Sequence, residues 1–369
     1  MILIATQTFA PVRGGMEIYM TSLASELAKA GHEVMVFADG KDVGPVPQAK
    51  YILRRFGGWR PLRRLNKRRA TAELFASRIM EGVICDSWKS VEAVSKRFPP
   101  PIVVLAHGGE YPVSPSRRKK RRIMAALARC TGILANSRFT AEAVKPYLPK
   151  PDDPRLKIVH PPITPLSKPS PEAQREIGSY IAGRSPVISV LARLEARKGI
   201  DRVIGALPAV LAKYPGTVFL IGGSGEDENR LRALTEEKGV GKSVVFLGTL
   251  SNDRKSALLS NTDVFAMPVR RVGTSVEGFG IAYVEAAWFG VPSFGGKEGG
   301  AQDAVIDGKT GLLCDGENQT EITLKLLQLL DDELLRRKYG IMAQTRAETE
   351  LLWSHALPKF LAAFYKPDR

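Results

Sequence analysis

An α/β fold of two doubly wound parallel-sheet domains is the class this sequence predicts. Three observations predict it. Short apolar runs alternate with helical patterns through the first half of the chain. The same alternation resumes, more cleanly, in the second half, and a proline-rich stretch at 148–172 separates the two. A parallel sheet covered on both faces by crossover helices gives this pattern, because its strands are buried on both sides. A chain of 369 residues is also longer than one small core accommodates.

The elements follow in order. "MILIAT" reads as the first strand; no charged segment precedes its apolar run, so it does not read as a signal peptide. "GMEIYMTSLASELAKAG" spaces Ile18, Leu23 and Leu27 at helical intervals and ends on Gly31, a C-cap. "HEVMVFA", "GVICD", "PIVVLAHGG" and "GILANS" are further strands. A helix over 61–80 sets Leu62, Leu65, Ala72, Ala76 and Ile79 along one arc. The stretch 148–172 cannot be a helix interior, since proline lacks the N–H and clashes with the preceding turn. It reads as a linker, with "KIVHPPI" a short extended piece. Beyond it, strands are expected at 186–192, 216–223, 243–248, 263–268, 291–296 and 311–315, with helices between. The domains are accordingly placed at 1–165 and 166–352, and an amphipathic last helix, "WSHALPKFLAAFYK", is free to dock on the first of them.

Composition narrows the function classes. No run of eighteen or more apolar residues occurs, which predicts no membrane-spanning helix. Cys85, Cys130 and Cys314 are widely spaced and odd in number, which fits reduced, buried thiols better than a disulfide framework or metal site. The net charge of +16 is unevenly spread: residues 1–165 hold 28 Lys/Arg against 13 Asp/Glu, and the remainder 26 against 25. Two clusters supply much of the excess. "RRFGGWRPLRRLNKRR" contains Arg63, Arg64, Lys67 and Arg68; "RRKKRR" contains Arg117, Arg118, Lys119, Lys120, Arg121 and Arg122. Such clusters attract polyanions, either nucleic acid or the anionic face of a membrane. They carry few interleaved aromatics for base stacking, and no nucleic-acid-binding motif is present, so a nucleic-acid partner is disfavoured.

In open parallel sheets ligands bind outside the carboxyl ends of strands, so the loops after strands are the place to look for chemistry. "LARLEARKGID" puts Arg193 and Lys198 just past a strand, where two cations suit a diphosphate whose charge grows as it departs. "FLIGGSG" places Gly222 and Gly223 in the next such loop, permitting positive φ or a close backbone approach. "FLGTLSNDRKSALL" leaves its strand at Gly248, so that backbone groups of Gly248, Thr249 and Leu250 can meet a base edge. "EGFGIAYVE" sets Glu277, Gly278, Phe279, Gly280 and Ile281 at the start of a helix expected from about Phe279 to Phe289. The helix N-terminus offers free N–H groups and partial positive charge to a phosphate or sugar. Glu285 lies about two turns on, within reach of a ribose diol. A second glycine-rich loop, "PSFGGKEGGAQDAV", follows. In the first half, Gly14 and Gly15 form a strand-to-helix loop, and His107 stands at a strand end beside two glycines. Each of these has a plain structural reading as well: a tight turn, a surface loop, or a satisfied histidine.

Together these stretches resemble the retaining glycosyltransferases of family 4, with the GT-B fold of two Rossmann-like domains facing each other across a cleft. "GGMEIYMTSLASELAKAGHEV", "HGG", "ILANSRFTAEAV", "LARLEARKGID", "IGGSG" and "EGFGIAYVEAAWFGVPSFGG" occur in the family's order, and residues 353–369 resemble its C-terminal crossover helix. The resemblance implies that Arg193 and Lys198 hold the donor diphosphate, that Glu285 binds the nucleotide ribose, and that Glu277 with Gly278–Gly280 contacts the transferred sugar. It implies that Gly15 approaches the phosphates and that His107 lies near the anomeric centre. The implied reaction moves a hexose, with GDP-mannose slightly favoured, from a nucleotide sugar to a lipid-linked or envelope-glycan acceptor, with retention and without a metal or other cofactor. Because the acceptor side of such proteins is the N-terminal domain, its basic face suggests a peripheral site at the inner face of the plasma membrane. A sugar-nucleotide epimerase, a phosphorylase of the same architecture, and a non-catalytic relative are the rival readings. The first needs no separate acceptor, the second needs a lysine-bound pyridoxal phosphate, and the third is at odds with the retained glutamate and Arg/Lys pairs.

Overall fold

The computed structural model describes residues 1–11, 14–41, 49–97 and 99–365. The chain forms two compact units, Met1–Pro162 joined by the C-terminal segment from Trp353, and Ile163–Leu352.

The first unit carries β1 (Ile2–Ala5), β2 (Val34–Asp39), β3 (Ile52–Phe56), β4 (Gly82–Cys85), β5 (Ile102–Ala106), β6 (Gly132–Ala135) and β7 (Leu156–Ile158). They make one parallel sheet of order β3-β2-β1-β4-β5-β6-β7. The order reverses between β1 and β4, whose residues Ile2–Ala5 and Gly82–Cys85 lie in register. All four residues of β1, β4 and β6 are buried, as expected of central strands covered on both faces. β3 escapes sequence reading. It is an edge strand, mostly exposed or half-buried, and its Arg54 and Arg55 break the apolar run.

The helix expected over 61–80 spans Arg60–Ser77, with Pro61 in its first turn. Its buried face is Lys67, Ala70, Thr71, Leu74 and Phe75. The apolar arc anticipated from the sequence turns outward instead: Leu62, Leu65 and Ile79 are exposed, as is Trp59.

The helix Trp353–Ala362 belongs to the first unit. Its Trp353 ring stacks on Tyr19 at 5.5 Å between centroids. Beyond it, the Phe364 ring and Ala363 close over the starts of β4 and β6. A Cβ on Gly82 would come within 2.3 Å of the Phe364 ring, and one on Gly132 within 2.7 Å of Ala363. These two glycines are the openings through which the last segment reaches the core.

The second unit carries β8 (Val187–Leu191), β9 (Val218–Gly222), β10 (Val244–Gly248), β11 (Val264–Met267), β12 (Ser293–Gly296) and β13 (Gly311–Cys314). They form a parallel sheet of order β10-β9-β8-β11-β12-β13. Its core joins the strands to Ile200, Val203, Ile204, Leu207, Phe279 and Tyr283 from the crossover segments. The three cysteines are free and buried, and burial pushes their thiols well above the ordinary range, Cys130 and Cys314 to about 12. Among the described residues, no helix is long and apolar enough to cross a membrane.

Candidate active site

The loop after β8 in the second unit carries a group of charged side chains, Arg193, Glu195, Arg197 and Lys198. Leu194 is fully buried and pins the loop to the core, leaving Arg193 on one side and Glu195 on the other. A single 3-10 turn, Ala196–Lys198, then leads into the Ile200–Lys213 helix through Gly199. Gly199 has φ of 72°, and a Cβ there would meet the Pro268 carbonyl oxygen at 2.1 Å. Both conformation and space demand glycine at that position.

The turn sets Arg197 and Lys198 side by side, and both reach Glu277 from the loop before the next site helix. Arg197 donates from Nη1 to Glu277 Oε2 at 2.7 Å and from Nε to Glu195 Oε2 at 2.9 Å. Lys198 donates from Nζ to the same Glu277 oxygen. Arg193 lies further out, with Nη1 at 3.3 Å from Glu195 Oε1 and its side chain 63% exposed. Burial alone would raise the Glu277 carboxyl, but Lys198 and Arg197 outweigh it and hold the pKa down at about 2. Glu277 is therefore a carboxylate at any working pH. It can accept hydrogen bonds from hydroxyls and order the two cations, and it is not a proton donor.

The sequence reading named Arg193, Lys198 and Glu277. It missed Arg197 and Glu195, although both stand inside the quoted stretch "LARLEARKGID". Lys198 also differs from the mobile charge expected, being 9% exposed and tied to Glu277.

Glu277 is braced by the second glycine-rich loop. Gly300 N–H donates to the Glu277 carbonyl at 2.8 Å, and a Cβ on Gly299 would press to 2.3 Å from the same oxygen. The helix that follows spans Ile281–Trp288, two residues shorter at its start than expected, because Gly280 takes the N-cap with φ of 93°. Phe279, ahead of it, is buried in the core. Glu285 consequently sits one turn into the helix, not two from its start. Its Oε1 lies 3.3 Å from Nζ of Lys255 on the Asn252–Ser260 helix, a partner that sequence reading did not identify.

The glycines of "IGGSG" are required by space inside the protein, and Gly223 also takes the positive φ anticipated for this loop, at 129°. A Cβ on Gly222 would meet Leu191 at 2.6 Å, one on Gly223 the Ala192 carbonyl oxygen at 1.8 Å, and one on Gly225 the Leu194 carbonyl oxygen at 2.3 Å. Gly223 and Gly225 give room to the neighbouring loop that carries Arg193, and Gly222 to the core leucines. Gly248 has open space around it and a φ of 64°, so conformation is what requires glycine there. Thr249 is exposed, with its hydroxyl 3.2 Å from that of Ser224, whereas the Leu250 side chain is core.

The remaining predicted positions belong to the first unit. Gly14 caps the Gly15–Lys29 helix, and a Cβ on Gly15 would meet nothing within 4 Å. His107 follows β5; its backbone N–H donates to Glu110 Oε1 at 2.8 Å and its ring packs edge-on to Tyr19. Its Nε2 is buried without a hydrogen-bond partner among the described residues.

The basic clusters are less uniform than the sequence suggests. Lys67, assigned to a surface contact, is buried. It donates from Nζ to the Thr6 carbonyl at 2.7 Å and to Asp39 Oδ1 at 2.6 Å, because its helix turns that side inward. Burial draws its pKa below the ordinary lysine value, opposed by Asp39. Arg63 pairs with Asp39 as well, and Arg64 and Arg122 share Glu92, the latter in a two-pronged contact at 2.8 and 2.7 Å. Arg68 donates to the Glu92 carbonyl oxygen. Arg117, Arg118, Lys120 and Arg121 are exposed and Lys119 half-buried. Among the described residues, no group of three or more His, Cys, Asp or Glu is placed to hold a metal ion.

Comparison with known proteins agrees with this architecture. The family model described as "Glycosyl transferases group 1" matches residues 175–346, and "Glycosyltransferase Family 4" matches residues 13–165. A GDP-mannose-dependent alpha-(1-6)-phosphatidylinositol monomannoside mannosyltransferase of Mycolicibacterium smegmatis is 31% identical over 376 residues, covering 95% of each chain. A D-inositol 3-phosphate glycosyltransferase of Nocardia farcinica is 28% identical over 95% of this chain and 84% of its own. Among solved structures, Anabaena HepE in complex with UDP and glucose superposes with a TM-score of 0.79 at 18% identity over 98% of both chains. WaaG, a glycosyltransferase of lipopolysaccharide biosynthesis, gives 0.74 at 19% identity over 100% of both.

Proposed function

Because the chain belongs to the family 4 glycosyltransferases and has the GT-B fold of two Rossmann-like domains, we propose that this glycosyltransferase moves mannose from GDP-mannose to a lipid-linked acceptor, with retention of configuration. The observation that carries the reading is the group of three cations after β8, two of them fixed by Glu277. Arg193, exposed, meets the donor diphosphate first. Arg197 and Lys198 stand where the charge of the departing nucleoside diphosphate grows, and cations already held in place stabilise it without reorganising. That arrangement assigns to side chains the neutralisation a divalent ion performs elsewhere. Glu277 accepts from hydroxyls of the transferred sugar, and Glu285, steadied by Lys255, accepts from the ribose diol. The M. smegmatis relative supports mannose as the sugar and a glycolipid as the acceptor.

The first unit supports a peripheral membrane site. Exposed Trp59, Leu62 and Leu65 lie among the arginines at the start of the Arg60–Ser77 helix. Each basic group near an anionic surface contributes about 1 kcal/mol, so a few suffice for reversible binding.

The test incubates the protein with GDP-mannose or UDP-glucose, a glycolipid extract, and EDTA throughout. Expected is an α-linked mannosyl product from GDP-mannose, read by the anomeric coupling in NMR. A β-linked product would refute retention. Product from UDP-glucose alone would refute the donor, and turnover abolished by EDTA would refute the role of the cations. Cosedimentation with anionic but not neutral vesicles is the expected membrane result.

A further inference from the structure

A cluster of unneutralised charge lies outside the site just described. A cavity of about 700 Å³ opens in the first unit, lined by Gln7 after β1, Asp39 at the end of β2, and Trp88 and Ser90 after β4. It sits where the strand order of the sheet reverses, between β1 and β4. Such a switch point separates the flanking loops and leaves a crevice for a ligand. The volume suits a headgroup of a few rings.

Eight of its fourteen lining residues are basic. The Arg60–Ser77 helix contributes Arg60, Arg63, Arg64 and Lys67; Lys89 follows Trp88; the Arg117–Leu127 helix adds Arg118, Lys119 and Arg122. Two carboxylates answer these eight cations. Asp39 takes Arg63 and Lys67, and Glu92 takes Arg64 and Arg122. Arg60, Lys89, Arg118 and Lys119 have no acidic partner among the described residues. Trp88 holds two of the cations in place without neutralising them: the Arg122 guanidinium lies 5.2 Å, and the Lys89 ammonium 5.8 Å, from the ring centroid. So many like charges around one cavity repel one another, and a bound anion relieves that repulsion.

We propose that this basin binds an acceptor headgroup carrying more than one phosphate charge. The inference rests on the transferase reading and deepens it, since one phosphodiester leaves most of the surplus unanswered. The shared chemistry is phosphate, whether presented by a lipid headgroup or by a water-soluble phosphate ester.

Calorimetric titration with inorganic pyrophosphate and with inorganic phosphate tests it. Pyrophosphate is expected to bind roughly tenfold or more tightly than phosphate, because each charge-assisted contact adds to affinity. That binding is expected to weaken at least about tenfold in a Lys89→Ala/Arg118→Ala/Lys119→Ala variant. An Arg193→Ala/Lys198→Ala variant is expected to keep it. Equal affinity for the two anions, or unchanged pyrophosphate binding in the triple variant, overturns the proposal. Circular dichroism melts establish that both variants fold; should the triple variant fail, Arg60→Ala/Lys89→Ala replaces it. GDP-mannose binding, measured in parallel, keeps the two readings apart. A protein that binds pyrophosphate in the basin but no GDP-mannose retains the anion site and loses the donor assignment; the reverse loses only the basin. Vesicles containing phosphatidylinositol identify the source. Release of the protein from them by pyrophosphate assigns the site to a lipid headgroup, and continued vesicle binding while pyrophosphate occupies the basin assigns it to a soluble ester; both support the proposal.

Discussion

Glu277→Gln isolates the electrostatics of the site. The variant keeps the shape of the side chain and leaves Lys198 and Arg197, both largely buried, facing a neutral amide. In the folded protein the Glu277 pKa is about 2, against an ordinary 4.5. At about 1.36 kcal/mol per pKa unit, that depression corresponds to about 3 kcal/mol of stability at pH 7. The sign follows from the direction. A lowered folded pKa stabilises above the unfolded value, and the contribution fades as pH falls from 4.5 toward 2. At pH 3 about 1 kcal/mol remains. Calorimetric melts of wild type and Glu277→Gln therefore differ by roughly 6–12 °C at pH 7, given about 2–4 °C per kcal/mol for a unit of this size. The gap narrows to less than half by pH 3. A variant as stable as wild type at pH 7, or a gap that does not change between pH 7 and pH 3, would refute the assignment of Glu277 as the counter-ion of the two cations.

Three further outcomes are expected. Lys198→Ala lowers kcat on the order of 10²–10³-fold, as loss of a preorganised charge does; wild-type turnover in steady-state assays would remove it from diphosphate stabilisation. Gly299→Ala forces a Cβ toward the Glu277 carbonyl at a φ of +68°, so kcat falls while the circular dichroism spectrum holds; an unchanged rate would show that the loop does not position Glu277. Trp353→Ala removes a buried ring stacked on Tyr19 and costs about 3–5 kcal/mol in the first unit, seen as an earlier calorimetric transition with the other unit's transition unmoved.

The fold class was legible because parallel strands buried on both faces leave near-continuous apolar runs, as in β8 and β9, whose residues are all buried. β3 was not, since an edge strand can carry Arg54 and Arg55. At the site, strand-end position singled out Arg193 and Lys198, but ion pairing is decided by side chains that meet across long stretches of chain. Nothing local in "LARLEARKGID" marks Arg197 as the residue that reaches Glu277, and nothing in "FLGTLSNDRKSALL" marks Lys255 as the partner of Glu285. Glycine is ambiguous for a related reason. Gly223 and Gly225 make way for the protein's own backbone and Gly222 for its leucine side chains, and a sequence does not distinguish that from making way for a ligand. Lys67 shows the limit of charge counting: all seven of its companions in the first basic cluster are exposed or half-buried, while helical phase carries this one inward to Asp39.

The return of the chain to its first unit has a consequence for biosynthesis. Trp353 and Phe364 complete packing against Tyr19 and Gly82, yet all of Ile163–Leu352 is translated between them. On the ribosome the inserted unit can finish folding while its host still waits for its last wedge, so the N-terminal half emerges as the late finisher although it is made first.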